Sequence, residues 1–212
     1  MENTENQKAV ALFNKLAEVY QQKFFSVDAY KAYLDEFLAH IRPGATVLDA
    51  ACGPGNISHY LLNSGKELQL TGIDLAPNMV SLASKNNPSG RFFVHDALKS
   101  DTLNQSFDAL VAGFLFPYFS WDQVRLFLRK AHQILNPDGF LYLSTMEDSY
   151  EKSRMRTSSS GEQLMMYFYE SLFLENTLEE LGFEILAVHR QPYVLSETES
   201  DTDLIILARK IS

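Results

Sequence analysis

The 212-residue chain holds a single cysteine, Cys52, so no disulfide can close within it, and a reducing, cytoplasmic setting is the expectation. No apolar run approaches the roughly 18 to 20 residues that cross a bilayer, so no transmembrane helix is expected. The start, Met1 to Gln7, is polar and acidic, unlike a secretory signal. Basic residues are outnumbered: 18 Lys and Arg against 27 Asp and Glu leave a net charge of -9. An acidic surface repels phosphate backbones, which argues against nucleic acid as the main partner. Lys152, Arg154 and Arg156 are the nearest thing to a basic patch, and an ordinary solvated loop with scattered charges is the preferred account of them. No repeat and no linker divides the chain, so one domain over 1–212 is expected. Oligomeric state is not legible.

What the chain has in plenty is apolar side chains, 46% of the whole. Val10, Phe13, Leu16, Ala17 and Tyr20 recur at helical spacing, as do Tyr30, Tyr33, Leu34, Phe37, Leu38 and Ile41. Residues 21–26 should interrupt these helices, and Pro43-Gly44 should stop the second, giving an N-terminal helical cap over 1–42. The pattern then alternates. Strands are expected at 46–50, 68–74, 91–95, 107–112 and 140–145, with helices at 57–62, 77–85 and 120–135 between them. Ser120 and Gln123 make a capping box, and Val124, Phe127, Leu128, Ala131 and Leu135 form the buried stripe of the helix that follows. Asn136 to Gly139 reads as a turn. Later come a polar, loop-like stretch at 147–163, a helix at 172–181, and closing strands at 184–194 and 203–210. Alternating strands and helices with short connections predict an α/β, doubly wound sheet with helices on both faces.

Such a sheet binds ligand beyond the carboxyl ends of its strands, where strand order reverses. The first strand ends at Asp49 and runs into Gly53-Pro54-Gly55, whose glycines permit a sharp turn and let a ligand approach bare backbone. Ser58 can supply the third small residue of a dinucleotide fingerprint, so glycine spacing alone leaves a nucleotide site and a tight turn both open. The second strand ends at Asp74, placed to accept both hydroxyls of a ribose or to favour a helix N-terminus. Asp96 is either an acceptor for an adenine amine or a turn residue. Ala112 to Tyr118 is either a ligand wall or an aromatic core cluster.

The segment from Val47 to Gly55, with Asp49, Cys52, Gly53 and Gly55 at their spacing, resembles the first motif of class I, Rossmann-like, S-adenosylmethionine-dependent methyltransferases. The segment Gly72 to Met79 resembles their second motif. Asp96-Ala97, Phe107 to Val111, Leu135 to Phe140 and Leu181 to Glu184 are similar to the later ones, in order. The resemblance covers roughly Ala45 to Arg209. It implies a mostly parallel seven-stranded sheet whose last strand is antiparallel, with S-adenosylmethionine as cofactor and a small-molecule acceptor. It also implies roles. Asp49 and the backbone of Ala51, Gly53 and Gly55 would hold the methionine part, and Asp74 the ribose. Leu75 and Met79 would flank the adenine, whose edge Asp96 and Ala97 would read. Ala112 or Gly113 would face the methionine amine, and Tyr20 would cap the cofactor.

Methyl transfer needs alignment above all. Tyr20, Phe114 and Tyr118 are candidates to face the sulfonium, with core packing as the other reading. None of His40, His59, His95, His132 and His189 forms a catalytic constellation, no metal is expected, and no catalytic residue is named. Tyr20, Phe24, Phe25, residues 116–119 and the Met- and Tyr-rich segment 147–170, with Met155, Met165, Met166, Tyr167 and Tyr169, would wall an acceptor pocket, with 147–163 as a lid. The acceptor atom, O, N or C, stays open. Three rival readings remain. One is a cofactor-binding protein without catalysis. Another is a nicotinamide-dependent oxidoreductase. The third, an RNA or protein methyltransferase, is disfavoured by the acidic charge and by the lack of an Asn-Pro-Pro-Tyr stretch.

Overall fold

The computed structural model describes residues 4–157, 161–194 and 200–211. Five strands run parallel: β1 (Thr46–Ala50), β2 (Gln69–Asp74), β3 (Arg91–Val94), β4 (Phe107–Gly113) and β5 (Leu135–Glu147). Two more, β8 (Phe183–Val194) and β9 (Ser200–Lys210), complete a seven-stranded sheet ordered β3-β2-β1-β4-β5-β9-β8. β9 is antiparallel to both β5 and β8. This is the doubly wound sheet with an antiparallel last strand that the sequence implies. The order reverses between β1 and β4, so their carboxyl ends open a crevice.

The central strands are buried on both faces, and their alternation sorts side chains into two layers. Leu48, Leu110, Ala112, Leu141, Leu143, Leu204 and Ile206 point to one layer. There α6 (Trp121–Ile134) and α7 (Ser171–Glu180) cover them with Val124, Phe127, Leu128, Leu174 and Leu178. The capping box of Ser120 and Gln123 starts α6, and its predicted stripe is buried throughout. Val47, Ala109, Val111, Tyr142, Ile205 and Leu207 point the other way, under α3 (Lys31–His40) and α4 (Asn56–Leu62). Asp108, the one polar position in the fourth strand, is held by Arg42, the Thr46 N–H and hydroxyl, and Asn136.

The N-terminal helices α1 (Thr4–Lys15) and α2 (Ala17–Phe24) lie over the carboxyl edge, where Ala17 meets Ala76 and Met79 at the start of α5 (Pro77–Asn86). The expected interruption at 21–26 is present but shorter and shifted, at 25–27, and the first helix is also broken at Leu16. α2 runs unbroken through Phe24, and a short 3-10 turn at Asp28–Tyr30 leads into α3. The turn at 136–139 is absorbed into β5, where Asp138 takes a left-handed φ of 58° and the ladder to β4 shifts register. The stretch 147–163 is not simply a loop. It holds a 3-10 turn (Tyr150–Lys152) and the first arm of an antiparallel hairpin, β6 (Arg154–Thr157) with β7 (Gln163–Met166), whose tip at 158–160 lies outside the described residues. Polar flanks hide such a hairpin from sequence, because only its inner face packs: Leu164 buries against Ala9 and Leu12 of α1. No helix is long and apolar enough to cross a membrane among the described residues.

Candidate active site

The crossover after β1 is a run of left-handed backbone, with φ of 59° at Ala51, 54° at Gly53 and 79° at Gly55. It is fastened from three sides. The Cys52 N–H donates to the Ile73 carbonyl at 2.9 Å. Asn86 donates to Pro54 O and Asn87 to Gly55 O, both at 2.9 Å. Asn56 donates to Phe24 O at 3.0 Å, tying the end of α2 to the loop. The asparagine pair at the C-terminal end of α5 carried no motif and was not legible in the sequence. Cys52 is buried, and burial pushes its thiol well above the usual range, so it is a packing residue.

Two carboxylates shape the crevice floor. Asp49, 2% exposed, accepts from the Ser58 hydroxyl at 2.6 Å. Ser58 therefore serves the acid rather than a third glycine-like position. Asp74 accepts the Gly53 N–H on one oxygen at 3.0 Å and the Ala76 N–H on the other at 2.8 Å. Burial raises its pKa, while these N–H bonds pull it down. The two readings of Asp74 are thus compatible: one lone pair on each oxygen holds the local backbone and the other remains for a ligand.

Burial is also the largest influence on Asp49, pushing its carboxyl up to about 6 against the Ser58 bond, which lowers it. An acid raised in the folded state contributes stability that is complete below its unfolded value, near 3.9, and is lost as pH rises through the folded one. The ligand-free wild type should therefore lose roughly 1 kcal/mol more stability between pH 5 and 7.5 than Asp49→Asn. Denaturant melts at the two pH values measure this. Equal slopes for the two proteins would mean that Asp49 titrates normally.

Of the twelve residues singled out from sequence, nine line one cavity at the β1–β4 crevice: Tyr20, Ala51, Gly53, Asp74, Leu75, Met79, Asp96, Ala97 and Gly113. Asp49, Gly55 and Ala112 stand behind that wall; Ala112 is buried outright and Gly55 packs against α5. Leu75 is 39% exposed, an apolar side chain held open on the wall. Asp96 accepts from the Leu98 N–H at 2.9 Å on one oxygen. His95 also lines the cavity, its ring against Lys99 O.

Above the floor stands an aromatic group. Phe13 meets Tyr20 edge-on at 5.6 Å and Tyr118 at 5.0 Å between centroids, and Phe114 meets Tyr30 at 5.4 Å. Phe114 holds a left-handed φ of 52°, a strained geometry that aims its ring into the cleft. Burial, and then the Asp74 charge, push the Tyr20 phenol up to about 12. Phe13, Tyr20, Phe114 and Tyr118 also border a second, larger cavity of about 550 Å³, within the ordinary range for small ligands.

The walls of that second cavity correct the sequence reading in part. Phe24, Pro117, Tyr118, Met146, Leu164 and Met166 contribute. Phe25, Met155, Met165, Tyr167 and Tyr169 do not. Phe25 packs on the His59 ring, Met155 is exposed, Tyr167 stacks on Tyr150, and Tyr169 is fully buried, donating to the Phe119 carbonyl. Sequence reasoning passed over Tyr142, Ser144, Asp201 and Asp203, which strands β5 and β9 bring to this cavity, and Tyr30, which the 3-10 turn before α3 brings there. Away from it, His40 stacks on Phe140, His132 abuts Phe183, and His189 stacks on Tyr33 and bonds Glu36. No group of three His, Cys, Asp or Glu is placed to hold a metal among the described residues.

A parallel sheet that reverses at a glycine crossover, an acid closing the second strand and an antiparallel final strand together define a Rossmann-like methyltransferase-type domain. Residues 47–139 match the family described as a methyltransferase domain. Demethylmenaquinone methyltransferase of Thermotoga maritima is 31% identical over 140 residues, covering 64% of this chain, and the match spans only 60% of that relative's length. An uncharacterised methyltransferase of Oceanobacillus iheyensis is 24% identical over 192 residues, 83% of this chain and 89% of that one. In fold, the chain is similar to 1,6-didemethyltoxoflavin-N1-methyltransferase of Burkholderia thailandensis, solved with 1,6-didemethyltoxoflavin and S-adenosylhomocysteine. The TM-score is 0.74 at 21% identity, over 97% of this chain and 88% of that one. The chain thus resembles methyltransferases in sequence over 47–139, and its fold is similar to that of the class I, Rossmann-like methyltransferases over nearly its whole length.

Proposed function

We propose that the protein transfers a methyl group from S-adenosylmethionine to a nucleophilic O, N or C atom of a small molecule, in a cytoplasmic setting. The single observation that carries this reading is the Gly53 N–H to Asp74 bond. It locks the glycine crossover to an acid whose remaining lone pairs face the crevice. The residues present fit the cofactor. Asp74 offers two acceptors to a ribose diol, Leu75 and Met79 offer apolar faces to an adenine, and Asp96 and Ala97 sit at its edge. Asp49 and the Ala51 to Gly55 backbone lie under the methionine end, with Gly113 across the cleft.

The bound cofactor supplies a methyl carbon already activated by positive sulfur. The chain's own residues have to orient and enclose. Phe13, Tyr20, Phe114 and Tyr118 form the partition between the two cavities, so an acceptor in the larger one meets the donor in the smaller. Aromatic faces there stabilise a cation by about 0.5 to 2 kcal/mol, and holding the partners in line lowers the barrier by roughly 7 to 11 kcal/mol. The segment 147–170 supplies Leu164 and Met166 to the acceptor-side wall, and its closure over bound acceptor is part of this reading.

Calorimetric titration with S-adenosylmethionine, S-adenosylhomocysteine and NADH tests the proposal. One-to-one micromolar binding of the two sulfur ligands and none of NADH is the expected result. Folded, ligand-free protein that binds neither sulfur ligand would remove it.

A further inference from the structure

The sheet face that carries Tyr142, Ser144 and Met146 continues across the ladder into β9, where Ile205 lies opposite Ser144 and Asp203 opposite Met146. Alternation puts Asp201, Asp203, Ile205 and Leu207 on this one face. Ile205 and Leu207 are buried under α3 with Leu34 and Phe37. One pleat beyond that cover, the same face turns acidic and meets the 550 Å³ cavity. Asp203 is only 3% exposed. A carboxylate buried where the pattern calls for an aliphatic side chain is destabilising unless bonded, and it calls for an explanation. One oxygen accepts from the Tyr30 hydroxyl at 2.6 Å. The other has no hydrogen-bond partner among the described residues.

We propose that Asp203 is the general base of the transfer, with Tyr30 as its positioning residue, and that the acceptor is a neutral, largely apolar ring bearing an O–H or N–H proton. This rests on the methyltransferase reading above. Gly113 pairs with Ser144, and Asp203 lies one strand over from Ser144 and two residues further along. Strand spacings of about 4.8 Å and rises of about 3.4 Å put its Cα about 12 Å from that of Gly113, room for one acceptor ring. The ring is neutral because both cations of the cavity wall are engaged: Arg156 forms a bidentate pair with Asp201 at 2.8 and 3.1 Å, and the Lys23 ammonium lies over the Phe24 ring at 4.9 Å.

The acceptor's proton passes to the Asp203 oxygen that Tyr30 does not bond. The electron pair it leaves forms the bond to the methyl carbon as the carbon–sulfur bond breaks, returning its pair to sulfur, which ends as a neutral thioether. Asp203 then gives the proton to water.

Burial holds the Asp203 carboxyl up at about 6, with the Tyr30 bond lowering it and Asp201 raising it. Tyr142 of β5 and Tyr193 of β8 also face this group, Arg156 of β6 offsets Asp201, and Lys23 of α2 stands at the cavity wall. The base is ionised above that value, so transfer should rise with pH through about 6.

Wild type, Asp203→Asn and Tyr30→Phe are each titrated with S-adenosylhomocysteine and assayed with S-adenosylmethionine from pH 5 to 9. The acceptors are phenol, catechol and 8-hydroxyquinoline, with pyridine as one that has no proton to lose. Difference infrared spectra between pH 5 and 7 follow the carboxyl itself. Expected are unchanged S-adenosylhomocysteine affinity in both variants, at least a 100-fold loss of transfer in Asp203→Asn, and loss of one carboxyl band. In Tyr30→Phe, which keeps the acid but removes its donor, the acidic limb should move up by half a unit or more. That shift carries the test if Asp203→Asn does not fold. Transfer within threefold of wild type in Asp203→Asn, or an unmoved limb in Tyr30→Phe, overturns the assignment. Methylation of pyridine alone, or of no acceptor by protein that binds S-adenosylhomocysteine, overturns the acceptor class. Failure to bind S-adenosylhomocysteine would instead strike the methyltransferase reading itself.

Discussion

Asp74→Asn is expected to weaken S-adenosylhomocysteine binding by on the order of 100-fold, because each charge-assisted bond to a ribose hydroxyl contributes roughly 1.5 to 3 kcal/mol. The structure refines what each substitution removes. Asp74 is a structural acceptor as well as the proposed ribose ligand, taking the Gly53 and Ala76 N–H groups at 3.0 and 2.8 Å. Asp74→Ala therefore leaves two backbone donors without their partner, and it should lower folding stability by about 1 to 3 kcal/mol in addition to abolishing the ribose contact. The asparagine variant keeps one acceptor and the side-chain volume, so its loss of affinity should exceed its loss of stability. Calorimetry and denaturant melts on both variants separate the two effects. Full affinity in Asp74→Asn would sink the ribose assignment, while a stability loss confined to Asp74→Ala would confirm the structural role alone.

Gly55→Ala should be the more damaging of two changes within one motif. At Gly55 the backbone has a φ of 79°, and a Cβ would stand 2.4 Å from Asn87 Nδ2 and 3.1 Å from the Ala83 Cα and Cβ. Asn87 cannot swing away cheaply, because it is buried and donates to both Gly55 O and Ala83 O. Left-handed strain, a displaced buried amide and pressure on the α5 backbone together point to a loss of about 3 kcal/mol or more. At Gly53 the φ is 54° and nothing lies within 4 Å of the added carbon, so Gly53→Ala incurs only the left-handed cost, roughly 1 to 2 kcal/mol. Because Gly53 lines the cavity, its variant should instead register in ligand affinity. Thermal or denaturant melts of the pair decide the matter, and equal losses would show that the close approach to α5 is relieved elsewhere.

The architecture was legible because its signals are local and repeated. Buried parallel strands read as apolar runs such as 46–50 and 107–112, and α6 announced itself by a capping box and a 3.6-residue stripe, all of which the fold retains. The floor of the crevice was legible for a related reason: residues that end parallel strands converge by topology, so Ala51, Gly53, Asp74, Asp96 and Gly113 meet once strand order is known. Boundaries were less so. The break expected at 21–26 narrowed to 25–27 because tertiary contact decides the last turn of a helix, here the bond from Asn56 to Phe24 O.

By itself the sequence determined the strand and helix alternation, the glycine crossover and the acids that face it, since each depends on neighbours within a few residues or on a fixed register of parallel strands. Only the tertiary structure decided the rest. Asn86 and Asn87 became loop fasteners, the polar 147–163 stretch became one arm of a hairpin, Tyr169 left the acceptor wall for the core, and Asp203 met Tyr30 from 173 positions away. Except for the hairpin, whose arms are neighbours in sequence, these outcomes depend on contacts between segments remote in the chain, and the antiparallel return of β9 beside β5 sets the last of them. No periodicity along one strand can encode what the opposite face of another will bring against it.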